Sequence, residues 1–120
     1  MYNKTYYATD PLSMAGASNE DLKSRYLIND LFADNEVRLN YLHYERFVIG
    51  GAAPVDKAVS LPVQTEPESA KGLPFLERRE MGAVNVGSSS GVVTVDGEPY
   101  ELSPKDALYI PMGCKEVTFE

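Results

Sequence analysis

One hundred and twenty residues make one domain, long enough to bury roughly two-thirds of its unfolded surface in a core without staples. A hydrophobic content of 43% is that of a globular chain, and a net charge of −7 argues against nucleic acid and anionic membrane as partners. The single cysteine excludes an intrachain disulfide and fits a reducing compartment.

No stretch has the apolar length of a transmembrane helix. The start, Met1-Tyr2-Asn3-Lys4-Thr5, lacks the apolar core of a signal peptide, so a cytoplasmic protein is the expectation. Residues 1–17 are polar, with tyrosines at 2, 6 and 7 and then Asp10-Pro11. They read as an extended arm whose tyrosines pack on something, such as a neighbouring subunit. Residues 18–120 read as the domain proper.

Ser18 opens a helix. Its hydroxyl can accept from the amide of Asp21, and Glu20 and Asp21 suit the positive end of the helix dipole. Leu22, Tyr26, Leu27 and Leu31 form an apolar stripe at helical spacing, predicted to pack on the core, with the helix ending near Asn29-Asp30. Val37, Leu39 and Tyr41 alternate with Arg38, Asn40 and Leu42, which predicts a strand with one buried face. Phe47-Val48-Ile49 predicts a second strand, closed by Gly50-Gly51. Ala58 to Leu61 can supply a third. Residues 62–74, with three prolines and Gly72, read as a surface loop.

From Phe75 onward the pattern is a run of short antiparallel strands. Val84 and Val86 alternate with Asn85, Gly87 to Gly91 is a turn, and Val92 to Val95 is β-branched. Asp96-Gly97 lies between two apolar runs, the signal of a hairpin with a type I′ turn. Tyr100 and Leu102 continue the alternation. Asp106 to Ile110 forms another strand, stopped by Pro111 and Gly113. Val117 and Phe119 alternate with Glu116, Thr118 and Glu120. Strands this short and regular imply a sandwich or barrel.

Several side chains are candidates for chemistry. Glu80 and Glu116 would meet if these strands rolled into a barrel, and paired carboxylates can act as acid and base. Alternation puts Arg78 and Glu80 on one face and Arg79 on the other. A structural salt bridge from Arg78 to a carboxylate is the favoured reading. Tight zinc binding needs several ligands at about 2.0–2.3 Å, and two carboxylates without imidazole make a poor site. His43, the single histidine, reads as bonded within a sheet. Cys114 beside Lys115 is a small half-buried residue before it is a nucleophile. Ser88-Ser89-Ser90 is a turn, because no helix follows it to hold a phosphate.

Glu80-x6-Gly87, with Asp106, Pro111 and Gly113 further on, resembles the two cupin signatures without their histidines. Leu73 to Leu76 stand in the first histidine slots, and Glu116 stands in the last. A narrower likeness rests on Phe75-Leu76-Glu77-Arg78-Arg79-Glu80 with Gly82, Asn85 and Gly87. Val93 to Gly97, Asp106 to Tyr109, Lys115-Glu116-Val117, Tyr7 to Pro11 and Val48 to Gly51 with Pro54 add to it. These residues resemble the amino-terminal half of the 5-keto-4-deoxyuronate isomerases (4-deoxy-L-threo-5-hexosulose-uronate ketol-isomerases) of pectin breakdown. Those enzymes are two-cupin chains.

The resemblance implies an all-β, cupin-type jelly-roll barrel with a short N-terminal helix. It makes 18–120 the degenerate first cupin of a longer protein, an expectation that fits a chain stopping in an apparent strand at Phe119-Glu120. It implies a role, mainly structural here, in interconverting 5-keto-4-deoxyuronate and 3-deoxy-2,5-diketogluconate. It places zinc or another divalent metal in the second cupin, with no cofactor and no catalytic residue on this segment. A sugar acid would be the substrate, and a homo-oligomer, a hexamer, the assembly. Arg78, Glu80 and Glu116 are the substrate-binding candidates. Two alternatives stand beside it: a metal-free sugar-binding module, with Arg78 or Arg79 holding a carboxylate, and a purely structural module.

Overall fold

The computed structural model describes residues 1–120. Nine strands and one short α-helix follow in order: β1 (Lys4–Tyr6), α1 (Asn19–Tyr26), β2 (Val37–Leu42), β3 (Phe47–Ala52), β4 (Val59–Ser60), β5 (Met81–Val84), β6 (Gly91–Val95), β7 (Glu98–Leu102), β8 (Ala107–Ile110) and β9 (Val117–Phe119). They form three sheets, ordered β1-β2-β3, β4-β9-β6-β7 and β5-β8. The chain is thus built mostly of strands, as its alternation predicts. The sheets do not close into a barrel.

Asp96 and Gly97 take φ of 47° and 86°, and the β6–β7 pairing runs outward from Val95 opposite Glu98. This is the two-residue turn that the Asp-Gly step predicts. Asp96 does a second job. Its Oδ1 accepts from the amides of Lys115 at 2.9 Å and Glu116 at 2.8 Å, which pins the entry of β9 to the hairpin tip. β9 then pairs with β6, Val95 opposite Val117.

Three expectations are corrected. The stretch 75–78 is a turn rather than a strand: the amide of Glu77 bonds to Pro74 O at 3.1 Å and that of Gly113 to Leu76 O at 2.8 Å. Phe75 and Leu76 point inward there and Glu77 and Arg78 outward. Strand alternation therefore does not govern which faces Arg78, Arg79 and Glu80 share. Helix α1 begins at the Ser18 cap, whose Oγ accepts from Asp21 N at 3.2 Å, but it ends at Tyr26 and buries no residue. Only Leu22 and Tyr26 of its eight residues are large and apolar, too little area to seat it on the core. Hydrogen bonds tether it instead, from Lys4 Nζ to Ser24 O at 2.7 Å and from Tyr6 OH to Leu27 O at 2.8 Å. Finally, Gly50-Gly51 lies inside β3 rather than closing it. A Cβ on Gly51 would stand 2.7 Å from the ring of Phe32, because the 31–32 backbone crosses β3 there.

The tyrosines of the first seven residues pack on this chain itself. Tyr6 is buried, Tyr2 meets Tyr41 with ring centroids 5.4 Å apart, and Tyr7 stacks on His43 at 4.8 Å. β1 adds to the first sheet in parallel with β2, Tyr6 opposite Leu42.

One cluster joins the sheets. Leu39 comes from the first, Val93, Leu102 and Val117 from the second, and Ile110 from the β5–β8 ribbon. Phe75 and Leu76 fill the space between them. Leu76 is 1% exposed.

Two substitutions test this architecture. Leu76→Ala removes a fully enclosed side chain and should cost about 2–5 kcal/mol. Gly97→Val forces a β-branched residue into the left-handed region, with an expected loss of about 1–3 kcal/mol. Chemical denaturation of each variant gives the values, and a Gly97→Val midpoint equal to wild type would rule out the positive-φ turn.

Candidate functional site

The turn at 75–78 decides where the basic residues go. Its tight reversal lets Arg79 fold back over the turn instead of out into solvent. The Arg79 guanidinium lies 4.8 Å from the centroid of the Phe75 ring. Its Nη1 donates to Gln64 Oε1 at 3.1 Å and to Phe75 O at 3.4 Å, and its Nη2 donates to Tyr2 OH at 3.0 Å. Gln64 is itself buried, and its Nε2 donates to Pro74 O at 2.9 Å. Burial holds the Tyr2 phenol above its ordinary pKa, against the pull of the Arg79 charge. Arg78 is exposed one residue earlier and forms no ion pair, so the salt bridge favoured from sequence is not made.

Gln64 also ties the loop that follows β4. Its amide donates to Leu73 O at 2.9 Å, and its carbonyl accepts from Gly72 N at 2.8 Å. The loop between contains a single 3-10 turn, Glu68–Ala70. A cleft of about 190 Å3 lies between this loop and the 75–79 turn, with Gln64, Ser69, Leu73, Glu77, Arg78 and Arg79 on its walls.

Glu80 and Glu116 share no partner. Glu80 leads into β5, where Gly82 pairs with Tyr109 of β8, and its Oε2 accepts from the Tyr109 hydroxyl at 2.6 Å. That hydrogen bond to a carboxylate raises the Tyr109 pKa above its ordinary 10.0. Glu116 sits at the Asp96 turn, and its exposed carboxylate has no hydrogen-bond partner in the protein. His43 lies just past β2, stacked on Tyr7 and edge-on to Tyr41 at 4.9 Å. Cys114 is half-buried in a small apolar crevice with Leu61, Phe75 and Val117. No three His, Cys, Asp or Glu side chains stand close enough together to hold a metal ion.

Of the substrate-binding candidates Arg78, Glu80 and Glu116, only Arg78 borders the cleft, together with Arg79, which the sugar-binding alternative named beside it. Gln64 and Ser69 complete it. Gln64 carries a signal in retrospect: a polar residue within a proline-rich loop whose neighbours Val63 and Thr65 are exposed. Burial of Gln64 requires partners for its amide, and Arg79 supplies one.

No family model matches the chain. Curated relatives match it over nearly its full length. The chain is 39% identical over 114 residues to a 4-deoxy-L-threo-5-hexosulose-uronate ketol-isomerase of Oceanobacillus iheyensis, covering 95% of this chain and 40% of that protein. Proteins of the same name from Formosa agariphila and Kineococcus radiotolerans are 41% and 43% identical over 113 residues, each covering 94% of this chain and 39% of the relative. The chain therefore spans about two-fifths of the length of the curated relatives it matches. The likeness to part of these isomerases, read from Phe75 to Val117 in the sequence, stands. No helix is long and apolar enough to cross a membrane.

The Tyr109–Glu80 contact predicts a titration. A raised tyrosine pKa means that the contact stabilises the fold in full below 10.0, the ordinary value, and is lost as pH rises through the higher folded value. The tyrosinate absorbance difference between wild type and Tyr109→Phe should therefore rise at higher pH than for a free tyrosine. Glu80→Gln should bring that midpoint back down, since it replaces the carboxylate acceptor of that hydrogen bond with a weaker neutral one and removes the charge. A midpoint unmoved by Glu80→Gln would refute the contact.

Proposed function

We propose that this chain is one part of a uronate ketol-isomerase in which it serves mainly as structure. The observation that carries this reading is the match over 95% of the chain to proteins of that name. The reaction would interconvert 5-keto-4-deoxyuronate and 3-deoxy-2,5-diketogluconate, with hydrogen lost from C2 and gained at C1 while the C2 hydroxyl becomes a carbonyl. The C1 aldehyde oxygen takes up a proton to become a hydroxyl as the C2 hydroxyl gives one up, so no net oxidation occurs. Such a step needs a polarised carbonyl and a positioned base.

A divalent metal, zinc in this reading, would supply the polarisation. The residues of this chain do not fit one. Glu80 is engaged by Tyr109, Glu116 stands alone at a turn, and His43 is packed between two tyrosine rings. The reading therefore places the metal on the part of the isomerase that this chain does not match. The finer features follow the same assignment: a cupin-type jelly roll completed by further strands, an arm of residues 1–17 before a domain of 18–120, a homo-oligomer such as a hexamer, and a cytoplasmic setting. The open sheets support it, since only 12 of 120 residues are buried and Val84, Val86, Tyr109 and Met112 near the β5–β8 ribbon are exposed. These surfaces suit cover by another segment.

A chimera tests the proposal. The stretch of the Kineococcus relative that matches this chain is replaced by this chain, and product formation from 5-keto-4-deoxyuronate is followed by NMR. The chimera should turn over, and the isolated chain should not. Turnover by the isolated chain would move the active site into it, and a folded but inactive chimera would overturn the family reading.

A further inference from the structure

The cleft beside Arg79 holds two arginines and no matching pair of acids. Neither Arg78 nor Arg79 forms an ion pair, in a chain whose eighteen acidic residues outnumber its eleven basic ones. Adjacent like charges repel, and a partly buried charge is costly without a counter-charge. Of the five N–H groups of Arg79, three go to Gln64, Phe75 and Tyr2. The other two, on Nε and Nη2, have no partner in the protein. No buried side-chain nitrogen or oxygen lacks a hydrogen bond, so the free Nε–H lies where solvent reaches it.

The guanidinium is also held in place. Buried Gln64, the Phe75 ring and the Tyr2 hydroxyl fix its plane, so little freedom remains to be lost when a ligand binds. The cleft of about 190 Å3 has room for about six water molecules at roughly 30 Å3 each. Glu77, beside the arginines on the turn, and Ser69, on the facing loop, also line the cleft, and neither side chain is hydrogen-bonded within the protein. A carboxylate wall beside arginines disfavours a bare polyanion and suits a ligand that also offers hydroxyl donors.

We propose that this cleft binds a small hydroxy-carboxylate of the sugar-acid type. Its carboxylate takes the free donors of Arg79, with Arg78 alongside, and its hydroxyls bond to Glu77 and Ser69. The proposal stands on the cleft alone. It assigns this segment a ligand site of its own, separate from any metal-bearing catalytic centre, and enzymatic turnover plays no part in its test.

The experiment is an NMR titration of the full chain with galacturonate, reading the Arg79 Nε–H and the Gln64 side-chain amide. Galactose and acetate serve as separate controls. Galacturonate should shift both signals saturably, acetate more weakly, and galactose not at all. Arg78→Gln, an exposed change, should weaken galacturonate binding about tenfold by removing one charge-assisted contact, with an unchanged melt. Arg79→Lys should abolish the response, and Arg78→Gln keeps the test valid should Arg79→Lys loosen the N-terminal strand. No saturable shift, or an equal response to galactose, overturns the proposal. An acetate response equal to that of galacturonate overturns the hydroxyl contacts.

Discussion

Phe75 and Leu76 are the contact on which the three sheets depend. Each sheet is too small to hide its own apolar face, since none has more than four strands. The turn at 75–78 inserts two large side chains where Leu39, Val93, Leu102, Ile110 and Val117 converge. Fully burying a side chain of this kind is worth about 1.5–3 kcal/mol. More important is that both act at one point, where a change is felt by every sheet. The backbone bond from Gly113 N to Leu76 O then fastens the exit of β8 to the same turn.

That turn also explains why the site lies where it does. A strand through 75–80 would have sent Arg78 and Arg79 to opposite faces. The turn instead puts Phe75 under the Arg79 guanidinium and brings the chain back toward Gln64. Core and cleft are two sides of the same five residues, 75–79, so a mutation that loosens the packing of Phe75 also releases Arg79.

The elements legible in the sequence are those fixed by local chemistry. Asp96-Gly97 needs only its own backbone preference, and Ser18 needs only the amide three residues on. Val37 to Leu42 and Val92 to Val95 carry enough β-branched or alternating residues to declare themselves. What escaped was fixed by distant partners. Leu22 and Tyr26 look like a core stripe until the anchors of α1 prove to be Lys4 and Tyr6. Phe75 to Glu80 looks like a strand until Gly113, more than thirty residues on, claims the Leu76 carbonyl. Arg78 was readable as a candidate because it is basic within a motif. The place of Arg79 depends on Tyr2, 77 positions away, which no local pattern can show.

The sheet order sets a timetable for folding. β4 lies at the edge of its sheet and pairs there with β9 alone, Val59 opposite Phe119. During synthesis β4 emerges long before its partner, while the β2–β3 and β6–β7 hairpins can close as soon as they are made. Loop closure over such a span is slow compared with a two-residue turn. The edge of β4 and the apolar side of Val59 therefore stay uncovered until residues 117–119 leave the ribosome. In that interval β4 is the strand most open to a wrong partner, and early engagement by a chaperone would protect it.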